Sequence, residues 1–154
     1  MNFELTSPAF VSGAAIPARH TCAGEDRSPP LIWGNLPAAA KSLALICEDP
    51  DAPGGTFYHW GIYDLLVNLG ALAEGIGEKS MPKDAKTVHN SFGSAGYRGP
   101  CPPKGHGVHH YHFRLFALST PTLILSKGAD CRTLLASLRP HVVATAELVG
   151  TFAR

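Results

Sequence analysis

The sequence predicts a mainly β domain with a minor helical part, and three features of the chain indicate this. Short apolar or aromatic runs of strand length recur along the chain, and glycine and proline separate them. The 16 glycines and 13 prolines are spread out rather than gathered in a low-complexity tract. Only one stretch has convincing helical periodicity. Because the 154 residues include no linker-like segment, we expect one domain over residues 1–154.

Four segments are predicted as strands. Ser42–Cys47 is a continuous apolar run, typical of a central strand that is covered on both faces. Phe57–Leu66 is rich in aromatic and branched residues, which favour strands. His109–Leu118 carries aromatic or aliphatic side chains at every second position, as a half-buried strand does. Thr145–Phe152 is predicted as a closing strand.

One helix is predicted, over Asp130–Leu138. Its three leucines fall on one stripe of the helix, and Pro140 follows as a stop signal. Residues 67–90 show no consistent period and are predicted to form a long irregular connection. The balance of elements is therefore mostly strand.

Charge and composition argue against several functional classes. The net charge is +1 with neutral histidines, and the lysines and arginines are scattered, so nothing indicates nucleic-acid binding. No segment approaches the roughly 20 apolar residues of a membrane span. The N-terminus has neither the basic nor the apolar region of a signal peptide, so a cytoplasmic location is expected.

The four cysteines are far apart in sequence and form no C-x-x-C pair, which disfavours a zinc ribbon or a thioredoxin-like motif. Because cytosolic thiols are kept reduced, Cys22, Cys47, Cys101 and Cys131 are expected to be reduced and partly buried. The sequence leaves open whether Cys22 and Cys101 approach each other in the fold.

Two carboxylates follow the first predicted strand. Asp49 and Asp51 flank Pro50, and residues two apart in an extended backbone point the same way. Such a pair can orient a ligand or neighbouring histidines. The alternative is turn chemistry, since aspartate and proline favour turns regardless of function.

His59 lies within the second predicted strand. Simple alternation places His59 on one face with Gly61 and Tyr63. A glycine beside a histidine leaves room above the sheet for a ligand or for another backbone. A structural imidazole with satisfied hydrogen bonds is the alternative.

A loop rich in glycine and proline leads into the strand that begins at His109, and four histidines occur within residues 106–112. His109 shares a face with Tyr111, whereas His110 and His112 share the opposite face. No third ligand follows at suitable spacing, so no metal site is predicted. No phosphate-binding or nucleophile-elbow motif occurs either, and no cofactor is expected.

Several segments occur in order along nearly the whole chain: Thr21–Gly24, Ser28–Trp33, Ser42–Ile46, Asp49–Pro53, His59–Trp60, Gly99–Pro103, Gly105, the strand starting at His109, and Ala146–Phe152. Their order and spacing resemble the phosphatidylethanolamine-binding protein family, in particular its bacterial Raf kinase inhibitor-like branch. The resemblance implies an antiparallel Greek-key β fold with a large central sheet, a smaller sheet and a few short helices. It also favours a homodimer.

The resemblance further implies a site at one end of the large sheet for phosphate-type groups of phospholipid heads or nucleotides. The residues carried over to that site are Asp49, Asp51, His59, Gly99, Pro100, His109 and Tyr111. A cis peptide bond is implied between Ala52 and Pro53. The family usually reads His-Arg-Tyr where this chain has His109-His110-Tyr111, and we expect this change to alter a surface or second-layer contact rather than the ligand site.

Two aspartates would repel an anion, so they are expected to accept hydrogen bonds from His59 or His109. Such bonds favour imidazolium and raise the histidine pKa. A cationic amine could also sit against the carboxylates. Anion affinity is then expected to increase as pH falls through the histidine titration.

The sequence therefore predicts a non-enzymatic module that binds a small anionic ligand, with a role in signalling as a further expectation. One alternative is a protein-interaction module that resembles a kinase or protease inhibitor. Another is a hydrolase that uses Asp49, Asp51 and His109, although no obvious nucleophile accompanies them.

Overall fold

The apolar runs of the sequence form two antiparallel β-sheets in the computed structural model, which describes residues 2–154. The strands of this part of the chain are β1 (Glu4–Thr6), β2 (Leu31–Gly34), β3 (Ser42–Asp49), β4 (Phe57–Leu65), β5 (Ala71–Leu72), β6 (Lys86–Thr87), β7 (His109–Leu118) and β8 (Val142–Phe152). The helix α1 covers Cys131–Leu138, and short 3₁₀ helices occur at Ala18–His20, Glu78–Ser80 and Arg139–His141. No helix within residues 2–154 has both the length and the apolar character needed to cross a bilayer.

The large sheet has the strand order β6-β4-β3-β7-β8, and the small sheet has the order β1-β2-β5. Strand β3 lies at the centre of the large sheet, and all eight of its residues are buried. This confirms the interpretation of its continuous apolar run. The observed strand extends two residues further than predicted, to Asp49.

Each face of the large sheet has its own hydrophobic core. On one face, Leu31 and Trp33 of the small sheet pack in a cluster with Phe113 of β7. On the other face, Leu134 of α1 packs in a second cluster with Ile46 of β3. The mainly β architecture predicted from the sequence is confirmed.

The helix begins at Cys131, one residue later than predicted. Asp130 has extended backbone angles, and its Oδ1 accepts hydrogen bonds from the backbone N–H and the hydroxyl of Thr133, each at 2.9 Å. Asp130 is therefore the N-cap rather than the first helical residue. Pro140 falls in the 3₁₀ helix that follows α1.

The shortest elements escaped prediction. Strands β1 and β2 have only three and four residues, too few to show a period. Residues 67–90 are mostly irregular, as predicted, but they also contain the two-residue strands β5 and β6. These short strands are defined by their pairing partners rather than by their own sequence.

A β-bulge in β4 overturns the alternation predicted around His59. Cys47 pairs with Trp60, whereas the next residue of β3 pairs with Tyr58, so His59 is an extra residue on β4. The ring of His59 lies 5.3 Å from that of Tyr111, on the side of the first core, to which Trp60 also belongs. The prediction that His59 shares a face with Gly61 is therefore wrong.

Gly61 does not make space for a ligand. A Cβ at this position would lie 2.5 Å from Cγ2 of Val88 and 3.0 Å from Sγ of Cys131. The absence of a side chain lets α1 and the segment after β6 pack against β4. The predicted ligand space above Gly61 is thus filled by the protein itself.

Cys22 and Cys101 form a disulfide bond, with their Cα atoms 5.4 Å apart, although 79 residues separate them in sequence. This corrects the expectation that all four cysteines are reduced. The bond joins two loops whose proximity follows from the tertiary fold, which explains why the cysteine spacing did not reveal it. Cys47 and Cys131 are free and buried, and burial raises the pKa of Cys131 to about 12.

Candidate functional site

A pocket of about 190 Å³ lies at the end of the large sheet where β3 ends and where β4 and β7 begin. Its polar or titratable side chains come from the three strands, namely Asp49, His59, His109 and Tyr111. The rest of its lining is apolar and comes mostly from loops, namely Ala52, Pro53, Phe57, Phe92, Cys101, Pro102 and Pro103. Antiparallel pairing thus brings together residues that are 60 positions apart in sequence.

The structure brings four of the seven predicted site residues into the lining, and Asp51, Gly99 and Pro100 are not part of it. Gly99 packs closely against the segment that leads into Cys22. A Cβ on Gly99 would lie only 2.2 Å from the carbonyl oxygen of His20, so a larger residue would not fit. The carbonyl oxygen of Pro100 accepts a hydrogen bond from the N–H of Cys22 at 3.1 Å. These two residues thus hold the proline-rich loop in position beside the pocket.

Asp49 and His109 form a buried pair. The Oδ2 atom of Asp49 lies 2.6 Å from Nδ1 of His109, and both side chains are less than 5% exposed. The other oxygen, Oδ1, accepts the backbone N–H of Asp51 at 2.8 Å. Both oxygens of Asp49 are therefore engaged within the protein, as predicted for a carboxylate that orients a histidine.

Asp51 makes a surface contact with His110. One oxygen of Asp51 accepts both the backbone N–H and the Nδ1–H of His110, each at 2.8 Å. These bonds, chiefly the side-chain one, lower the pKa of Asp51. Because the chain turns after Asp49, the two aspartates do not point the same way, and that prediction is wrong. His110 thus makes a surface contact, one of the two kinds of contact predicted for this position.

His59 donates its Nδ1–H to the carbonyl oxygen of Arg98 at 2.7 Å, which leaves Nε2 as its available nitrogen. The side chain is buried, and burial is the main cause that lowers its pKa. The nearby charge of Asp49 opposes this effect without outweighing it. The expectation of a raised pKa is therefore wrong for His59, which is neutral at pH 7.

Tyr111 carries the one buried hydroxyl in the pocket lining. The residue is 0% exposed, and its hydroxyl has no hydrogen-bond partner within residues 2–154. Burial raises the pKa of Tyr111, so the phenol keeps its proton. An unpaired buried polar group costs about 1–3 kcal/mol. The site thus holds an unused O–H donor.

Aromatic rings form one wall of the pocket. The rings of Phe57 and Phe92 lie 4.7 Å apart, and the ring of His59 lies within 5.6 Å of both. Phe92 is 43% exposed and marks the rim. It sits in a loop without periodicity, so no sequence signal pointed to it. The prolines in the rest of the lining, Pro53, Pro102 and Pro103, belong to segments that the sequence did single out.

Two arginines stand beside the rim. The guanidinium of Arg98 lies 4.9 Å from the centroid of the Phe92 ring. The Nε–H of Arg154 donates to the carbonyl oxygen of Pro102 at 2.8 Å. Sequence reasoning missed both residues, because neither belongs to a recognisable motif. They place positive charge beside two lining residues of the pocket.

His106 also contacts the site, and sequence reasoning did not assign it. Its Nδ1 lies 2.6 Å from Nε2 of His109, so both nitrogens of His109 are engaged. Within residues 2–154, no three His, Cys, Asp or Glu side chains converge in the way that a metal ion requires. The arrangement suits hydrogen bonding and proton sharing.

The peptide bond between Ala52 and Pro53 is trans, so the prediction of a cis bond is wrong. The surrounding segment forms a turn in which the N–H of Gly55 donates to the carbonyl oxygen of Ala52 at 3.1 Å. Gly55 has a φ of +103°, which glycine adopts without strain. The trans form is the favoured isomer of a bond before proline where no contact forces the other.

Comparison with known proteins relates residues 6–153 to a family model described as phosphatidylethanolamine-binding protein. A UPF0098 protein of Methanothermobacter thermautotrophicus is 44% identical over 152 residues, which cover 98% of this chain and 99% of that protein. A Mycobacterium tuberculosis protein named as a candidate lipoprotein, LppC, is 40% identical over 148 residues, covering 96% of this chain and 71% of that protein.

The fold also matches solved structures. YbcL of Escherichia coli, described as a member of the mammalian PEBP family, superposes with a TM-score of 0.95 at 31% identity, covering 100% of this chain and 99% of that one. The homologue CT736 of Chlamydia trachomatis superposes with a TM-score of 0.87 at 38% identity, covering 99% and 97%. The two-sheet architecture is therefore shared along the whole chain.

Proposed function

Because the chain belongs to the phosphatidylethanolamine-binding protein family, we propose that it binds a small phosphate-type anion in this pocket without chemically altering it. The observation that carries the proposal is the hydroxyl of Tyr111, which is buried, protonated and without a partner in the pocket lining. A phosphate oxygen would accept this O–H and relieve the cost of leaving it unpaired.

Positive charge at the rim supports the choice of an anion. Arg98 and Arg154 stand against the lining residues Phe92 and Pro102. Guanidinium groups recognise phosphate well because their planar donors match its oxygens. Arg98 is also 3.5 Å from a carboxylate oxygen of Asp26, so part of its charge is balanced within the protein.

The buried carboxylate in the pocket does not count against an anion. Both oxygens of Asp49 are occupied, one by the N–H of Asp51 and the other by the ring of His109. The nitrogen of His109 that bonds Asp49 must carry a proton, since a carboxylate only accepts. Asp49 therefore acts as an acceptor for the ring rather than as a partner for the ligand.

His59 links binding to pH. When neutral, it offers only the lone pair of Nε2, because Nδ1–H is used by Arg98. An anion needs a hydrogen-bond donor at Nε2, so anion binding favours the protonated ring of His59. Binding therefore raises the pKa of His59 from the lowered value that it has in the free protein. Affinity is then expected to rise as pH falls below about 6.5, the ordinary histidine value.

The absence of turnover is part of the proposal. Cys101 is the one cysteine in the lining, and its sulfur is held in a disulfide, while the lining includes no serine or threonine hydroxyl. The lining thus lacks a thiol or an aliphatic hydroxyl as nucleophile, although a water-mediated reaction would not need one. Hydrolysis of p-nitrophenyl phosphate by the native protein, lost on His109→Ala, would contradict this part of the proposal.

Calorimetric titration with inorganic phosphate and O-phosphorylethanolamine tests the proposed binding. Removing one hydroxyl by Tyr111→Phe is expected to weaken binding by about tenfold, the equivalent of one hydrogen bond of roughly 1.4 kcal/mol. Tyr63→Phe is the matched control, because Tyr63 lies in the second core on the other face of the sheet. If the native protein binds neither compound, the protein-interaction module becomes the better account.

The homodimer, the cytoplasmic location and the signalling role remain predictions. The Cys22–Cys101 disulfide bears on the location, because disulfides persist in oxidising compartments and are uncommon in the cytosol. Light scattering on the purified protein tests the dimer. Fractionation of the source cells tests the location.

A further inference from the structure

We propose that His106 is the surface end of a proton relay that charges His109, and that an anion in the pocket would favour the charged state of His109. The proposal rests on the proposed function for its role, although its geometry stands without a ligand. His106 is exposed, yet its Nδ1 is 2.6 Å from Nε2 of the buried His109. His109 is in turn 2.6 Å from Asp49.

The hydrogen-bond pattern fixes most of the proton positions. The Asp49 carboxylate accepts, so Nδ1 of His109 carries a hydrogen. Only one hydrogen fits between the facing nitrogens of the two rings. In the uncharged state that hydrogen belongs to Nδ1 of His106, which donates to the lone pair of His109. The remaining nitrogen of His106, Nε2, is then the basic atom of the pair.

Addition of one proton moves the charge inward. A solvent proton binds Nε2 of His106, and the shared hydrogen shifts from Nδ1 of His106 to Nε2 of His109. His106 is neutral again, with its hydrogen on Nε2, and His109 has become an imidazolium that donates to both His106 and Asp49. The net change is one proton taken from solvent and one positive charge on the ring that stacks with Tyr111.

The loop is shaped to hold His106 in this position. Gly105 and Gly107 flank it with φ values of +75° and +96°, in a region that side chains rarely adopt. The N–H of His106 donates to the carbonyl oxygen of Pro103 at 3.1 Å, and the N–H of Gly105 donates to that of Arg154 at 3.0 Å. The turn is thus closed on itself and tied to the last residue of the chain through Gly105.

The charges around the pair favour its inner ring. The titratable or charged groups around the two rings are Asp49 and Tyr111, which contact His109, then His59 beside Tyr111, Asp51 with His110 on the neighbouring surface, and Arg154, whose main-chain oxygen bonds Gly105. Asp49 contacts His109 directly and stabilises a positive charge there. An anion in the pocket would add to the attraction on His109, because His109 lines that pocket.

The first arm of the test needs no ligand. Ring ¹⁵N resonances of His106 and His109 are followed against pH in the native protein. A shared proton is expected to move both sets of resonances together in the first step, with a second proton entering only at lower pH. His106→Asn keeps a hydrogen-bonding side chain but no basic ring, and is expected to move the His109 midpoint to lower pH. His112→Asn is the control, since His112 contacts Glu147 instead.

The second arm counts protons on binding. Calorimetry with sulfate, which does not titrate in this range, is run in two buffers of different ionisation enthalpy. Proton uptake per sulfate is expected to fall in His106→Asn and to stay native in His112→Asn. Native uptake in His106→Asn would overturn the relay and leave His106 as a positioning residue.

The two arms separate the relay from the proposed function. Coupled titration without any sulfate or phosphate binding would support the relay and contradict the proposed function. Sulfate or phosphate could instead bind to a protein in which His106 and His109 titrate independently and the His109 midpoint is unchanged by His106→Asn. That result would support the proposed function and contradict the relay.

Discussion

The ring of Tyr111 stacks on that of His109, with centroids 6.4 Å apart and planes 23° from parallel. The two side chains differ in how their polar atoms are used. Both nitrogens of His109 are hydrogen-bonded within the protein, whereas the hydroxyl of Tyr111 has no partner within residues 2–154. The pocket thus combines a satisfied imidazole, which can carry charge, with a donor that is free for a ligand.

Removal of the Tyr111 hydroxyl should separate binding from stability. Because the buried O–H is unpaired, Tyr111→Phe is expected to leave the free energy of unfolding unchanged or to raise it by up to about 1 kcal/mol. Urea denaturation of the ligand-free protein measures this. A loss of more than about 1 kcal/mol would mean that the hydroxyl has a partner within the fold.

Breaking the buried pair of Asp49 and His109 should lower the free energy of unfolding. Asp49→Ala leaves the N–H of the buried His109 ring without its acceptor, and such a loss typically costs about 1–3 kcal/mol of unfolding free energy. Asp51→Ala breaks the exposed contact with His110 and should cost less than about 1 kcal/mol. Equal losses in the two variants, measured by urea denaturation, would contradict the assigned roles.

Stability should decline on the acid side of neutrality. Burial lowers the pKa of both His20 and His59, so the unfolded chain binds more protons than the folded one below about pH 6.5. Their contribution is complete above that pH and is lost as pH falls toward the folded values. Asp51 and Asp130 have lowered pKa values, so their contributions are lost only at still lower pH.

The measurement is the free energy of unfolding at pH 7.5, 6.5 and 5.5. His59→Asn is expected to show a smaller decline than the native protein, while His110→Asn should follow the native curve, since His110 is exposed. Saturating phosphate should offset the decline in the native protein. An identical pH dependence in native protein and His59→Asn would count against a buried neutral imidazole at this position.

The disulfide should support the pocket wall. Cys101 lines the pocket and is bonded to Cys22, so the double replacement Cys22→Ser and Cys101→Ser is expected to weaken phosphate binding. It should also lower the unfolding free energy by roughly 2–4 kcal/mol, the usual effect of removing a disulfide. The matched variant Cys131→Ala changes a free cysteine in the second core, outside the pocket.

Thiol counting checks the bond directly. The denatured native protein should show two reactive thiols before reduction and four afterwards, because Cys47 and Cys131 are free. Four thiols before reduction would show that the bond is not formed in the isolated protein.

The sequence was informative where residues carried a local signal. The continuous apolar run of β3 and the alternation of β7 predicted both strands, and the family resemblance pointed to Asp49, His59, His109 and Tyr111. These residues come together because antiparallel strands place their ends at one edge of the sheet.

Other features depend on contacts between distant parts of the chain. The bulge that turns His59 toward the pocket arises from its pairing with β3, and strict alternation cannot reveal it. The disulfide and the rim arginines likewise depend on how loops meet in three dimensions. His106 was visible as one of several clustered histidines, yet its contact with His109 needs the loop turn formed by Gly105 and Gly107.

A crystal structure of the protein grown with inorganic phosphate would test the central claim most directly. One phosphate is expected in the pocket, with an oxygen at about 2.5–2.7 Å from the hydroxyl of Tyr111, as in a charge-assisted O–H···O bond. Phosphate bound elsewhere, or a pocket that stays without phosphate at saturating concentration while the Tyr111 hydroxyl remains unpaired, would contradict it.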